Sequence, residues 1–128
     1  VYRRYQVPLC RNAFLGTPPQ ALLDAARAGN SAGDIARAFY AVLDRFGIQR
    51  EGRCDYCIGL SYPPDWGERA VSIRQSDTTV LEPNMTFHFM PGLWMQEWGL
   101  EITESIRIQP EGPAETLANV PRPLHVVA

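Results

Sequence analysis

The 128-residue chain is expected to fold as an α+β domain. Three observations carry that expectation. Two consecutive helical patterns occupy residues 17–46, short strand-like runs fill the chain after Gly52, and Gly, Pro or Asn punctuates the boundaries. Because helical and strand-like runs are segregated, the strands are expected to pair antiparallel.

Residues 5–15 alternate loosely, with Val7, Leu9, Ala13 and Phe14, and read as an extended strand that Pro8 places at an edge or bulge. After Gly16, Thr17-Pro18-Pro19-Gln20 supplies an N-cap, a proline at the first helical position and a glutamine three after the cap. This predicts a short helix through about Arg27, ended by Gly29-Asn30. A second helix is predicted from Ser31, with Asp34 at capping-box spacing, to about Phe46, with Gly47 as its C-cap. Its apolar face is Ile35, Ala38, Phe39, Val42, Leu43 and Phe46, which follows the helical period.

Strands are predicted over residues 56–62, 70–73 and 86–89. A loop with Trp94, Trp98 and Gly99 then leads to the clearest strand, 100–108, where Leu100, Ile102, Glu104, Ile106 and Ile108 share one face. Glu104 is the odd member of that face. A carboxylate buried there needs partners or a shifted pKa, which makes it a site candidate; the alternative is a bulge that turns it to solvent. The tail from Pro110 is mostly irregular, with 114–117 as a possible last strand.

With 45% hydrophobic and 20% charged residues, the composition is that of one soluble globular domain. A net charge of -2 provides no basic field, so neither nucleic acid nor anionic lipid is an expected partner. All 12 cationic side chains are arginine, which excludes lysine-based covalent catalysis. No apolar run approaches the ~20 residues that span a bilayer, and Val-Tyr-Arg-Arg-Tyr lacks a signal-peptide plan, so a cytoplasmic location without membrane contact is expected. Cys10, Cys54 and Cys57 form no disulfide framework. The Cys54-x-x-Cys57 pair lacks the ~4 ligands of a zinc site and the strand-to-helix setting of a redox pair, and reads as buried, inert thiols.

Residues 56–68, Tyr-Cys-Ile-Gly-Leu-Ser-Tyr-Pro-Pro-Asp-Trp-Gly-Glu, concentrate the special-purpose side chains. Two prolines stiffen the backbone just before Asp65, Trp66, Gly67 and Glu68, which crowd two carboxylates and an indole into four positions. The candidate active site is placed here. The bland alternative is a Pro-Pro-Asp turn with its carboxylates in water.

Segments 5–16, 54–59, 81–92 and 100–112 resemble, in order, the sequence blocks of the pita-bread superfamily of methionine aminopeptidase, prolidase and creatinase. The likeness is strongest over 58–104. There Gly-Leu-Ser-Tyr-Pro-Pro-Asp-Trp-Gly-Glu, Thr-Phe-His-Phe-Met-Pro-Gly-Leu-Trp and Trp-Gly-Leu-Glu-Ile-Thr-Glu-Ser look like the ectoine hydrolase branch. The resemblance implies a partial pita-bread fold, a curved antiparallel sheet with helices on one face. It also implies a single partial catalytic domain over 1–128, shortened between Ala28 and Ser31 and without the family's N-terminal domain. A homodimer is expected.

The superfamily's metallopeptidases hold two metal ions with two aspartates, a histidine and two glutamates. Against that pattern this chain offers Pro8 for an aspartate, Tyr56 for the histidine of Gly-His-Gly and Met90 for the glutamate of Glu-Pro-Gly. The last glutamate falls on Thr103 or Glu104. Proline, tyrosine and methionine do not replace carboxylate or imidazole around a hard cation, so no catalytic metal and no other cofactor is expected.

What the resemblance then implies is metal-independent hydrolysis of a non-peptide C–N bond in a small molecule, the cyclic amidine ectoine. Carboxylates would attract a protonated amidine and tryptophan faces would stack on it. Glu68 is the expected base or nucleophile, Asp65 its electrostatic partner, and Glu104 or Glu101 the second carboxylate. His88 is a candidate proton shuttle. Trp66 and Trp94 would wall the pocket together with Met90, and Tyr56 would bond the substrate carboxylate. The alternatives are an Xaa-Pro peptidase-like enzyme and a non-catalytic binding or dimerisation module.

Overall fold

A computed structural model describes residues 18–59, 70–96, 99–118 and 120. The strand expected at 5–15, the Thr17 cap, Pro8, and the loop residues Asp65, Trp66 and Glu68 lie outside them. Helix α1 spans Pro18–Ala25, two residues shorter than expected. Its end is set by Asn30, whose Nδ2 donates to Ala25 O at 2.9 Å, and by Gly29, whose φ of +89° turns the chain away. Gly29 N–H then reaches Leu81 O, and Leu81 N–H reaches Asn30 O, so the turn is tied to the strand region.

Helix α2, Ala32–Arg45, forms as its sequence dictates. Ser31 Oγ accepts from Asp34 N–H, and Asp34 Oδ2 accepts from Ser31 N–H at 2.7 Å, completing the capping box. At the other end Gly47 N–H donates to Asp44 O and Ile48 N–H to Leu43 O, while Gly47 takes φ +64°, the left-handed turn that favours glycine. Ile35, Phe39, Val42 and Leu43 are fully or almost fully buried, as the helical period requires.

Among the described residues, five strands build the main sheet in the order β2-β1-β3-β6-β7: β1 Asp55–Cys57, β2 Ser72–Ile73, β3 Thr86–Phe89, β6 Glu104–Arg107 and β7 Glu115–Thr116. All pairings are antiparallel. A separate two-stranded sheet joins β4, Gly92–Trp94, to β5, Gly99–Glu101. β1 begins one residue before the expected 56–62 and ends at Cys57, with residues 60–62 outside the described residues, and β2 is shorter than the expected 70–73.

The expected strand 100–108 is divided between the two sheets, and Trp94 and Gly99 are strand residues rather than loop. Phe89 pairs with Glu104 and Gly92 pairs with Glu101, so two residues on each side interrupt one continuous register. Pro91 sits in that gap and has no N–H to donate to a ladder.

Alternation splits the main sheet into two faces. Asp55, Cys57, Ile73, Phe87, Phe89 and Ile106 are buried on the face that carries the core, together with Leu22, Ile35, Phe39 and Leu43 of the helices. The helices therefore cover one face, as the resemblance implies. Leu93 belongs to the same core, so the open side of the β4–β5 hairpin continues the open face of the main sheet.

Candidate functional site

Paired residues of antiparallel strands project from the same side. Ser72 pairs with Tyr56, Tyr56 with His88, and His88 with Ser105, so these four polar side chains form one row across four strands on the open face. All four are half-buried. The Tyr56 and His88 rings lie 5.4 Å apart, tilted by 39°. The Arg53 guanidinium lies on the Tyr56 ring, 5.2 Å from its centroid.

The open side of the hairpin adds an indole and a carboxylate. Trp94 pairs with Gly99 and Gly92 with Glu101, which places all four on one side. Trp94 is 67% exposed, and its ring lies across both glycines. A Cβ at Gly92 or at Gly99 would stand 3.1 Å from the indole. Glu101 is exposed on the same side. The result is a flat aromatic platform with a carboxylate beside it, suited to a planar cation.

The expected second carboxylates are thus separated. Glu101 shares the open side with Trp94, whereas Glu104 pairs with Phe89 and lies half-buried on the helix-covered face. Its position there follows from strand alternation, without the bulge considered as an alternative. Met90 is half-buried between β3 and the hairpin.

Asp55 was missed by sequence reasoning. It is fully buried in the row Ile73–Asp55–Phe89–Glu104; one oxygen accepts the Met90 N–H and the other has no hydrogen-bond partner. Burial pushes its carboxyl well above the usual carboxylate range, against the opposing pull of the Met90 N–H and of Arg50 and Arg53. The available signal was period two: Asp55 alternates with Cys57 and shares its buried face. Cys54 and Cys57 are both buried and neither forms a disulfide among the described residues, and burial pushes the Cys54 thiol up to about 11 despite the nearby Arg50. The inert reading of Cys54 therefore has a physical basis.

A hard divalent ion wants several carboxylate or imidazole ligands in one place. Among the described residues no three His, Cys, Asp or Glu side chains gather around such a point. Among the described residues, Tyr56 offers a phenol and Met90 a thioether, neither of which is a usual ligand of a hard divalent ion.

The model of metallopeptidase family M24 matches residues 8–110. An ectoine hydrolase of Halomonas elongata is 52% identical over 98% of this chain, and an uncharacterised hydrolase/peptidase of Sinorhizobium fredii is 39% identical over 96%. The chain spans about a third, 35%, of the length of each of these relatives. The stretch aligned with the Halomonas protein runs to 141 residues, more than the chain's own 128, so this chain omits residues inside the shared region. Among solved structures, an Xaa-Pro dipeptidase from Bacillus anthracis superposes with a TM-score of 0.83 at 21% identity, covering 96% of this chain and 34% of its own. Dipeptidase PepE from Mycobacterium ulcerans gives 0.81 at 25% identity, covering 94% and 31%. With the matched segment, the identity to these relatives and the shared pita-bread architecture in agreement, the chain belongs to metallopeptidase family M24.

Proposed function

We propose that residues 1–128 are a partial catalytic domain of a metal-independent hydrolase that opens the ring of the cyclic amidine ectoine. The observation that carries the proposal is the 52% identity to the Halomonas ectoine hydrolase over 98% of the chain. The open face supplies chemistry that fits. A protonated amidine is a planar, delocalised cation, and stacking on the exposed Trp94 face contributes roughly 0.5 to 2 kcal/mol. Glu101 offers it a carboxylate from the same side of the hairpin.

In the hydrolysis, water adds through oxygen to the amidine carbon, one ring C–N bond breaks, and the departing nitrogen takes a proton. An amide and an amine result. Glu68 takes the water's proton or acts as nucleophile, with Asp65 as its electrostatic partner and Trp66 as the second aromatic wall. Glu101 serves as the second carboxylate, because Glu104 faces the helices. His88 shuttles the proton, and Tyr56 and Met90 line the site. Tyr56 and Met90 make poor ligands for a hard cation, which favours activation of water by carboxylate rather than by metal.

The test follows ectoine by NMR in the presence of the folded chain and a chelator. Ring opening is expected, and Glu68→Gln is expected to remove it without unfolding the chain. Unchanged ectoine would reject the activity for this chain. Turnover that chelator abolishes and a divalent ion restores would reject metal independence.

A second reading, cleavage of Xaa-Pro dipeptides, draws on the fold shared with the Xaa-Pro dipeptidase from Bacillus anthracis. Equimolar manganese, zinc or iron bound to the purified protein would favour it.

A further inference from the structure

Arg53 lies at one end of the open face, exposed, with its guanidinium on the Tyr56 ring at 5.2 Å. Among the described residues it forms no salt bridge. Two other arginines nearby are hydrogen-bonded: Arg50 Nη2 donates to Arg53 O at 3.1 Å, and Arg74 donates to Ser72 Oγ from Nε at 3.2 Å and from Nη2 at 3.1 Å, while its charge acts on Asp77. Ser72 spends its acceptor on Arg74, which leaves the hydroxyl hydrogen to donate elsewhere.

Register brings further donors alongside. From Ser72 the row continues through the Tyr56 hydroxyl and the His88 imidazole to the Ser105 hydroxyl, on neighbouring strands spaced about 4.8 Å. The carboxylates nearest in register, Asp55 and Glu104, pair with Phe89 and lie on the opposite face. Among the described residues, one face thus joins a guanidinium outside any salt bridge to a line of hydroxyl and imidazole donors; Asp55, on which the Arg53 charge also acts, and Glu104 lie on the opposite face, and Asp77, at the Ser72 end, accepts the Ser72 N–H at 3.0 Å. That is the chemistry of an oxyanion receptor.

We propose that Arg53, with Tyr56 and His88, forms an anion subsite that takes the carboxylate of the substrate. This rests on the ectoine reading for the identity of the ligand, but the subsite itself rests on Arg53, Tyr56 and the strand register. Arg53 grips the carboxylate, and stacking on Tyr56 holds the guanidinium in place. Tyr56 and His88 add hydrogen bonds from the sheet. Arg53 therefore determines specificity for a substrate that carries an acid group, and takes no part in the bond-breaking step.

The experiment compares the parent chain with Arg53→Gln and Arg53→Lys, substitutions at an exposed position that leave the core untouched. With ectoine, Arg53→Gln is expected to raise KM about tenfold, the loss of a charge-assisted contact, with kcat within about twofold. Arg53→Lys is expected to recover part of the loss. With 2-methyl-1,4,5,6-tetrahydropyrimidine, the same ring without the carboxylate, Arg53→Gln is expected to leave KM unchanged. Equal losses on both compounds, or no loss on ectoine, would overturn the assignment. Propionate, titrated into labelled protein, decides the subsite even where ectoine is not turned over. Propionate is expected to shift the Tyr56 and His88 resonances of the parent and not those of Arg53→Gln. A parent chain that shows no shift, or a variant that shifts equally, overturns the proposal.

Discussion

The Trp94 ring rests over Gly99 of the paired strand: a Cβ added at Gly99 would stand 3.1 Å from Cε3 and 3.4 Å from Cζ3 of the indole. Gly99→Ala therefore has to tilt the indole by a few tenths of an ångström. Because Trp94 is largely exposed, the change in stability is expected to stay below about 0.5 kcal/mol. Ectoine affinity is expected to fall about threefold, and about tenfold in Trp94→Ala. Ligand titration followed by tryptophan fluorescence reads both, and unchanged affinity in Trp94→Ala would remove the platform from the site.

Ser31→Ala is expected to cost about 1 kcal/mol in urea denaturation, because Ser31 Oγ caps α2. Asp34 adds a pH dependence. Its bond to the Arg37 guanidinium, with those from Ser31, lowers its pKa from 3.8 to about 2. A depressed folded value means that the contribution is complete above pH 3.8 and disappears as pH falls through about 2. The group is substantially exposed, so solvent and salt keep the effect small. Asp34→Asn is expected to flatten the acid limb of the stability profile.

Asp55 has the opposite sign. Its folded pKa is raised by burial, so the folded chain binds this proton more tightly than the unfolded chain does. Its contribution to stability is full below the unfolded value near 3.8 and declines as pH rises from there towards the folded value. The stability of Asp55→Asn relative to the parent is therefore expected to improve as pH rises above about 4, until the folded value is passed. A difference that does not vary with pH in matched denaturation curves would refute the raised value.

Phe87 sits at 0% exposure on β3, between β1 and β6. Phe87→Ala is expected to destabilise by about 3 to 5 kcal/mol, with a much smaller loss for Phe87→Leu. Denaturant midpoints of the two variants supply the comparison.

Cys54 is expected to react slowly with a thiol reagent at pH 8, since burial holds its thiol near 11, and to react rapidly once urea unfolds the chain. Mass analysis of the labelled Cys54 peptide provides the readout. Fast labelling in native buffer would contradict the buried, protonated thiol.

What the sequence alone determined is the local part of this protein. Ser31 and Asp34 are three residues apart and bond within one turn, Gly47 supplies the left-handed turn behind Phe46, and residues 86–89 alternate in place. Each depends on neighbours along the chain, so the pattern is written in adjacent residues. The family blocks were also legible, and with them the sheet covered by helices on one face. Tertiary structure alone decided which side chains meet. Glu101 and Glu104 are three apart, which in strand alternation means opposite faces, and only the pairing partners show which face is open. Pro91 opposite residues 102–103 divides one ribbon between two sheets, a fact invisible from either segment by itself. Asp55 is buried because Ile73 and Phe89 pair with it from 18 and 34 residues away. Tyr56 and His88 share the open face because register, set by long-range packing of Phe87 and Ile106 into the core, turns them to the side the helices do not cover, and Arg53 joins them by lying on the Tyr56 ring.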